Sequence, residues 1–340
     1  MESILGIDIG THSIKLIEIG HEKEVRTLLA AGSMPTPSKT LSSTVSADAE
    51  AVAFVIKQLV KETGAKSDKV NIALPESQVF TRVIEVPQLS NRELTSAIQW
   101  EAEQYIPLPL DQVNMDFTIL RDAKATTTGK MEVLLIAAPK VLIERYMTML
   151  ELADLVPVFA ETEIIAGSRA ISKSMAMVNN VMLVSIGAQT TDMTILHNGV
   201  IAFVRSISAG GEALSRSLSQ SLDFTVVQAE EYKKTYGLQK GLLEGKLVTA
   251  MEPIMATIMN EVKRAIAFFG EKYANERLEA IVLSGGSAKL PGIVSYMTES
   301  VTIETQLANP WVGVVKDARF NVLSTEGPLF AVAVGLAMRS

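Results

Sequence analysis

The sequence contains no cysteine and only three histidines, at positions 12, 21 and 197. That excludes disulfides, thiolate metal sites and cysteine nucleophiles, and it fits a reducing compartment. A zinc site or a histidine-based triad has little to draw on. No stretch is strongly basic and the net charge is -7. Nucleic acid is therefore not an expected partner, because such binding rests on lysine and arginine against phosphates. Long hydrophobic runs are missing as well. The longest, such as Phe330 to Met338, fall far short of a membrane span, so no direct membrane insertion is expected. The N-terminus runs straight into a strand and leaves no room for a signal peptide. The expectation is a cytoplasmic protein that meets a membrane only through partners.

What the sequence does contain is a repeated pattern. An apolar run, Leu5-Gly6-Ile7-Asp8-Ile9, meets a polar tip, Gly10-Thr11-His12-Ser13, and a second apolar run leaves from Ile14 to Ile19. This reads as a β-hairpin. Its tip suits a phosphate: glycine lets the backbone approach, and Thr11 and Ser13 add hydroxyl donors beside free amides. The Asp8 carboxylate makes sense there if a divalent cation such as Mg²⁺ lies between, since that ion takes oxygen ligands and keeps much of its water. The run Leu183-Val184-Ser185-Ile186-Gly187-Ala188-Gln189-Thr190-Thr191-Asp192-Met193-Thr194-Ile195-Leu196 has the same form. Aligning Gly10 with Gly187 sets the copies 177 residues apart in a chain of 340. A repeat at half-length predicts two like domains, each offering a hairpin tip to one ligand between them. The length and the 48% hydrophobic content agree with two packed domains.

Between the hairpins, 24–33 predicts a third strand and 34–46, rich in Pro, Ser and Thr, a loop. Helical spacing covers 48–63, and short strands are expected at 70–74 and 79–86. Ser90-Asn91-Arg92-Glu93 is a capping box that opens a helix with Leu94, Ile98, Ala102 and Tyr105 on one face. Trp100 falls opposite that stripe at about 100° per residue. It either anchors a partner or lies under a second layer of the fold. Strands at 113–120 and 131–137 complete a small insert. Helices are expected at 141–152 and up to Ile171, at 247–273 and at 328–339. The expected domains are 1–86 with 139–170, an insert at 87–138, and 171–340.

Asp8-Ile9-Gly10-Thr11 and Gly187 through Asp192 resemble the phosphate loops of the actin-like ATPase superfamily, which includes actin, Hsp70, sugar kinases and the division protein FtsA. Leu283-Ser284-Gly285-Gly286-Ser287 resembles its adenosine motif. Within that superfamily the run from Leu94 to Pro107, with Trp100-Glu101-Ala102-Glu103-Gln104-Tyr105, is similar to the PilM family of type IV pilus assembly. So are Glu163 through Ala170 and Ala308-Asn309-Pro310. The resemblance implies an α/β fold of the actin-like, ribonuclease H-like type, duplicated, with an FtsA-type inserted subdomain. It implies ATP between the domains and Mg²⁺ near its phosphates, held through water by Asp8 and Asp192. Gly10, Thr11, His12 and Lys15 would face the phosphates from one side, and Gly187, Gln189, Thr190 and Thr191 from the other. Gly210 and Gly211 would approach the ribose and phosphates. Glu230, Lys233 and Lys234 would lie by ribose and adenine, and Gly285, Gly286 and Ser287 would clamp base and sugar. Lys234 reads equally as a solvated helix lysine. Glu163, with Asp192, takes the catalytic place: it either orients the attacking water or is an ordinary surface residue at a helix start. Adenine over guanine rests on the resemblance alone.

The family implies a scaffold at the inner face of the inner membrane. Its expected partner is the N-terminal cytoplasmic tail of a PilN-type membrane protein, with other pilus assembly proteins as further candidates. The tail groove is expected between the first domain and the insert. Any hydrolysis is expected to be slow. The alternatives are an FtsA-like filament-forming division protein and an actin-fold ATPase or small-molecule kinase. The missing C-terminal amphipathic helix counts against the first, and the absence of a sugar-binding cluster against the last.

Overall fold

The computed structural model describes residues 2–37, 46–126 and 128–339. Three antiparallel strands open the chain: β1 (Glu2–Ile9), β2 (Ser13–Glu22) and β3 (Val25–Pro35). Helix α1 (Ser46–Thr63) leads to β4 (Lys69–Leu74), parallel to β1. Most of the loop expected at 34–46, residues 38–45, lies outside the described residues. The chain then makes β5 (Phe80–Val86), α2 (Asn91–Tyr105), β6 (Val113–Arg121) and β7 (Met131–Pro139). Helix α3 (Lys140–Leu152) returns to β8 (Val156–Thr162), parallel to β4, and α4 (Glu163–Ile171) follows.

The second half repeats the plan. An antiparallel meander, β9 (Asn180–Ile186), β10 (Thr191–His197) and β11 (Val200–Ile207), precedes α5 (Gly211–Leu222), α6 (Val226–Tyr236) and α7 (Lys246–Lys272). Then come β12 (Ala280–Ser284), α8 (Ile293–Val301), β13 (Glu304–Leu307), the short β14 (Val314–Val315) and α9 (Gly327–Ala337). The first sheet runs β14-β3-β2-β1-β4-β8 and the second β11-β10-β9-β12-β13. With β14 set aside, the two orders are the same, and this is the duplication the repeat predicted. β5, β7 and β6 form a separate three-stranded sheet, so the insert's sheet begins at Phe80.

Each sheet buries one face under helices of its own half. On α7, Met251, Met255, Ile258, Val262 and Phe269 recur at helical spacing and pack on Met182, Val184 and Ile195. Fully burying each such side chain contributes about 1.5–3 kcal/mol. On the first sheet, Val52 and Ile56 of α1 and Tyr146 and Met149 of α3 cover Leu5, Ile7 and Ile72. The helix predicted at 90 begins with both bonds of the capping box, the Ser90 amide donating to Glu93 at 2.9 Å and the Glu93 amide to Ser90 Oγ at 3.5 Å. Trp100 is 74% exposed, so no second layer covers it.

Two helices exchange between the halves. α9 sets Phe330, Ala333 and Val334 against Ile17, Ile19 and Leu28 of the first sheet. α4 sets Ile164, Ala170 and Ile171 against Val181, Leu183 and Val282 of the second. Glycine permits both crossings: a Cβ at Gly6 would stand 2.1 Å from the Ala333 oxygen, and one at Gly335 1.9 Å from the Ala166 oxygen. The two helices form the spine of the cleft between the halves. Among the described residues no single helix is long and apolar enough to cross a membrane.

Candidate functional site

The two predicted hairpin tips close in the same way. In the first, Asp8 pairs with Lys15 and Ile9 with Ile14, and the Gly10 amide donates to the Ser13 carbonyl at 3.2 Å. In the second, Ser185 pairs with Asp192 and Ile186 with Thr191, and the Gly187 amide donates to the Thr190 carbonyl at 2.9 Å. Both tips line one cleft of about 1230 Å³. Lys15 Nζ donates to Asp8 Oδ2 at 3.0 Å, and both side chains are buried. Asp192 is also buried. Its Oδ2 accepts from Thr190 Oγ1 at 3.3 Å, whereas Oδ1 has no protein partner. Burial pushes the Asp192 carboxyl up to about 6, and neighbouring hydroxyls offset only part of that.

More carboxyl groups gather behind Asp192. Glu163, the first residue of α4, lines the cleft, and its Oε2 accepts from the Glu76 amide at 3.4 Å. Desolvation, with Asp192 and Asp8 close by, holds Glu163 well above the usual carboxylate range. Glu76, on the turn after β4, is buried with one oxygen unpartnered. Burial, with the Asp192 charge adding to it, pushes Glu76 up to about 8. Among the described residues no three His, Cys, Asp or Glu side chains converge as a metal-binding group.

The far wall is built from α5, α6 and the turn after β12. The first amides of α5 go to the second tip: Gly211 donates to the Gly187 carbonyl at 2.9 Å and Glu212 to that of Ala188 at 2.8 Å. A helix start normally leaves such amides free; here they fix the shape of the tip. Glycine is needed for that approach, since a Cβ at Gly210 would stand 2.8 Å from both the Gly187 and Ala188 oxygens. Lys233 is buried, and its Nζ donates to the Gly211 carbonyl (2.7 Å), Ser215 Oγ (2.8 Å) and Glu230 Oε2 (2.6 Å). Burial alone would raise Glu230; the bonds from Lys233 and Ser215 outweigh it and hold the carboxyl down to about 2. Gly285 adopts φ +83°, where a Cβ would strike the Ile186 oxygen at 2.5 Å, while Gly286 beside it opens on free space.

The chain matches the family of type IV pilus assembly protein PilM over residues 6–340. It belongs to the PilM family. A solved structure described as the PilM-PilN type IV pilus biogenesis complex is similar at 31% identity and a TM-score of 0.87, covering 99% of this chain and 98% of that one. Cell division protein FtsA of Streptococcus pneumoniae is 23% identical over 94% of this chain and 78% of its own length. MreB5 of Spiroplasma citri, solved bound to ADP, shares the fold at 14% identity and a TM-score of 0.51, covering 98% of this chain and 95% of that one. The fold is actin-like.

Within this PilM-family fold most of the sequence-predicted residues come together. Asp8, Gly10, Thr11, His12, Lys15, Glu163, Gly187, Gln189, Thr190, Asp192, Gly211, Glu230, Lys233, Gly285, Gly286 and Ser287 all line the cleft. Thr191 and Gly210 do not. Thr191 is fully buried and donates to the Ala209 carbonyl at 2.6 Å, bracing the tip from behind. Lys234 reaches the rim and pairs with Glu230 at 3.2 Å, mostly exposed. Sequence reasoning passed over Glu76, Tyr146 and Ser215. Ser215 stands one helical turn after Gly211, so its spacing carried the signal. Glu76 and the buried Tyr146 are set by tertiary packing, and nothing local marks them.

Proposed function

We propose that this protein holds Mg-ATP between its two hairpin tips and, so loaded, presents a groove for the N-terminal tail of a PilN-type inner-membrane protein. The carrying observation is the pair of matched tips, one bringing the Lys15 ammonium to the cleft and the other the unpartnered Asp192 oxygen. Gly10, Thr11, His12 and Lys15 would contact the phosphates from one side, and Gly187, Gln189 and Thr190 from the other, with Thr191 and Gly210 supporting the second tip. Asp8 and Asp192 would hold Mg²⁺ through water. Two carboxylates suit an ion that leaves most of its shell to water and phosphate. Glu230 and Lys233 would take the ribose, and Gly285, Gly286 and Ser287 the base and sugar. Adenine as the base is supported by the ADP in the MreB5 neighbour.

Glu163 would orient the attacking water. Desolvation and the neighbouring Asp192 and Asp8 hold its carboxyl well above the usual carboxylate range, so it suits holding a water by hydrogen bond better than removing its proton. The tail partner is supported by the similar PilM-PilN structure. An extended tail could add to an edge strand on either side of the groove, such as β6 in the insert or β8 in the first half. Through that partner the protein would sit at the inner face of the inner membrane, within reach of other pilus assembly proteins. Calorimetry tests both parts. Mg-ATP should bind with one site per chain, and a synthetic PilN-type tail should bind with an affinity that changes with nucleotide. Absence of Mg-ATP binding removes the nucleotide reading; absence of tail binding in the loaded protein removes the scaffold reading.

A further inference from the structure

The insert branches from the first half, meets that half's core at its root, through Val79, Ile136 and Ala138, and lays its sheet on the second half. Its chain leaves the first half at Val79 and rejoins it at Lys140. Its sheet has two faces, as alternation along strands requires. On one face Ile84, Val86, Val133 and Leu135 pack under Leu94 and Ile98 of α2, a core made entirely of insert residues. On the other, Val83, Leu120 and Leu134 pack against Leu196, Ile201 and Val204 of β10 and β11.

A polar cluster borders this apolar seam. Glu132 of β7 is 2% exposed. It accepts from Arg121 Nη1 of β6 at 2.7 Å and pairs with Lys272, the last residue of α7, at 2.7 Å. Arg121 also donates to Tyr273 Oη at 2.9 Å and, through Nη2, to the carbonyl of His197 at 2.6 Å. The His197 ring stacks on Tyr273 with centroids 4.2 Å apart. Burial would raise Glu132, but Lys272 and Arg121 hold it below the usual carboxylate range, so the cluster is charged and complete. His197 is the last residue of β10, and Asp192 in the cleft is its second. One strand thus runs from the candidate ligand site to the seam, roughly 17 Å at the rise of a β-strand.

We propose that the insert is a rigid extension of the second half, clamped by Glu132, Arg121, Lys272 and Tyr273, and that it moves with β10 and α7 when the two halves hinge. The seam between insert and first half, where the chain crosses only twice, then opens and shuts as the cleft does. The clamp stands on the packing alone. Its coupling to nucleotide rests on the reading of the cleft as a Mg-ATP site. Hinged domain closure is the ordinary response to a ligand bound between two lobes.

The absence of cysteine makes the test direct, because introduced pairs can be spin-labelled in the full chain without background. Gln99→Cys with Lys263→Cys reports insert against second half; Gln99→Cys with Gln58→Cys reports insert against first half. In nucleotide-free protein the first distance distribution should be the narrower. Mg-ATP should leave it in place and shift the second by a few ångströms. Glu132→Gln and, as the milder variant, Lys272→Ala should broaden the first distribution while circular dichroism shows the fold retained. The proposal is overturned if the insert–second half distribution is the broader one in the wild type, or if it stays as narrow in both folded variants. It is also overturned if Mg-ATP binds by calorimetry and moves the insert against the second half, or moves neither distance. If Mg-ATP does not bind, the nucleotide reading fails, and the nucleotide-free widths still decide the clamp.

Discussion

The two hairpins have the same backbone and opposite electrostatics. Their tips close with the same amide-to-carbonyl bond, and their cross-strand registers agree position by position. Asp8 stands where the second copy has Ser185, and Lys15 where it has Asp192. The first hairpin therefore places a satisfied ion pair at the cleft, and the second places a buried carboxylate with one oxygen unpaired. The two tips share a shape, and they differ in that only the second leaves a carboxylate oxygen open to a cation. An unpaired buried acceptor costs about 1–3 kcal/mol, more when charged. Asp192 bears that cost without ligand, whereas Asp8 does not.

The largest break in this symmetry should appear in the stability of the ligand-free protein. Asp8→Ala leaves the Lys15 ammonium buried without its partner, and breaking a buried pair costs about 3–5 kcal/mol. Asp192→Asn removes a charge that the fold does not satisfy. Burial pushes its carboxyl up to about 6 in the folded chain from an ordinary 3.8. A folded pKa raised above the unfolded one gives stability that is present at low pH and lost as pH rises through the folded value. At pH 8 Asp192→Asn should therefore stabilise, by about 1–2 kcal/mol. Denaturant titrations of both variants at pH 8 check the pair of signs, and equal destabilisation would mean that Asp192 has a partner after all.

Ligand binding should reverse the order. Asp192→Ala is expected to weaken Mg-ATP about 100-fold, or about 2.7 kcal/mol, and Asp8→Ala about 10-fold, or about 1.4 kcal/mol. Calorimetry on the folded variants measures both, and unchanged affinity in each would remove the site assignment. The third difference lies behind the tips. Glu76 adds a further acid on the Asp192 side, raised to about 8 from 4.5. By the same sign rule, wild-type stability should fall between about pH 4.5 and pH 8 as Glu76 loses its proton. The full shift sets a ceiling of about 5 kcal/mol, and relaxation beside an open cleft reduces the expected loss to about 1 kcal/mol. Glu76→Gln should flatten this pH profile; a profile unchanged by the substitution would show that Glu76 ionises freely.

These differences were unequally legible in the sequence. The tips could be read because turn chemistry is local: glycine followed by small polar residues between apolar runs signals a hairpin wherever it occurs. The half-length spacing then disclosed the duplication. Trp100 could be placed off the buried stripe of its helix by angle alone, and it is exposed. The spacing did not disclose which carboxylate would be free, because Lys15 and Asp192 become equivalent only once cross-strand register is known. α9 was equally opaque, being apolar all round, with no face to say that it packs on the other half's sheet. Glu76 follows Pro75 in an ordinary turn, and neighbours far along the chain, Asp192 of β10 and Glu163 of α4 among them, set its surroundings. The strands and helix of the insert could be read one by one, but the expected start at 87 left β5 outside its sheet, and its attachment to the second half depends on Arg121, Glu132 and Lys272 meeting across 151 residues of sequence.

The smallest predicted effect tests whether the two tips are equally tight. Neither Gly10 nor Gly187 has a positive φ, so alanine meets no backbone strain at either place and only space decides. A Cβ at Gly10 would stand 2.9 Å from Lys15 Nζ and 3.0 Å from the Ser13 carbonyl oxygen. Lys15 cannot swing away cheaply, because its ammonium is held by Asp8. At Gly187 the nearest atoms are the Thr190 carbonyl oxygen at 3.3 Å and Oγ1 at 3.9 Å. Gly10→Ala should therefore cost about 1 kcal/mol and Gly187→Ala less than about 0.5 kcal/mol in the ligand-free protein. Thermal melts at pH 7 would resolve the order. A larger loss at Gly187 would make the second tip the tighter of the two, and the ion pair at the first would then be looser in solution than its 3.0 Å contact implies.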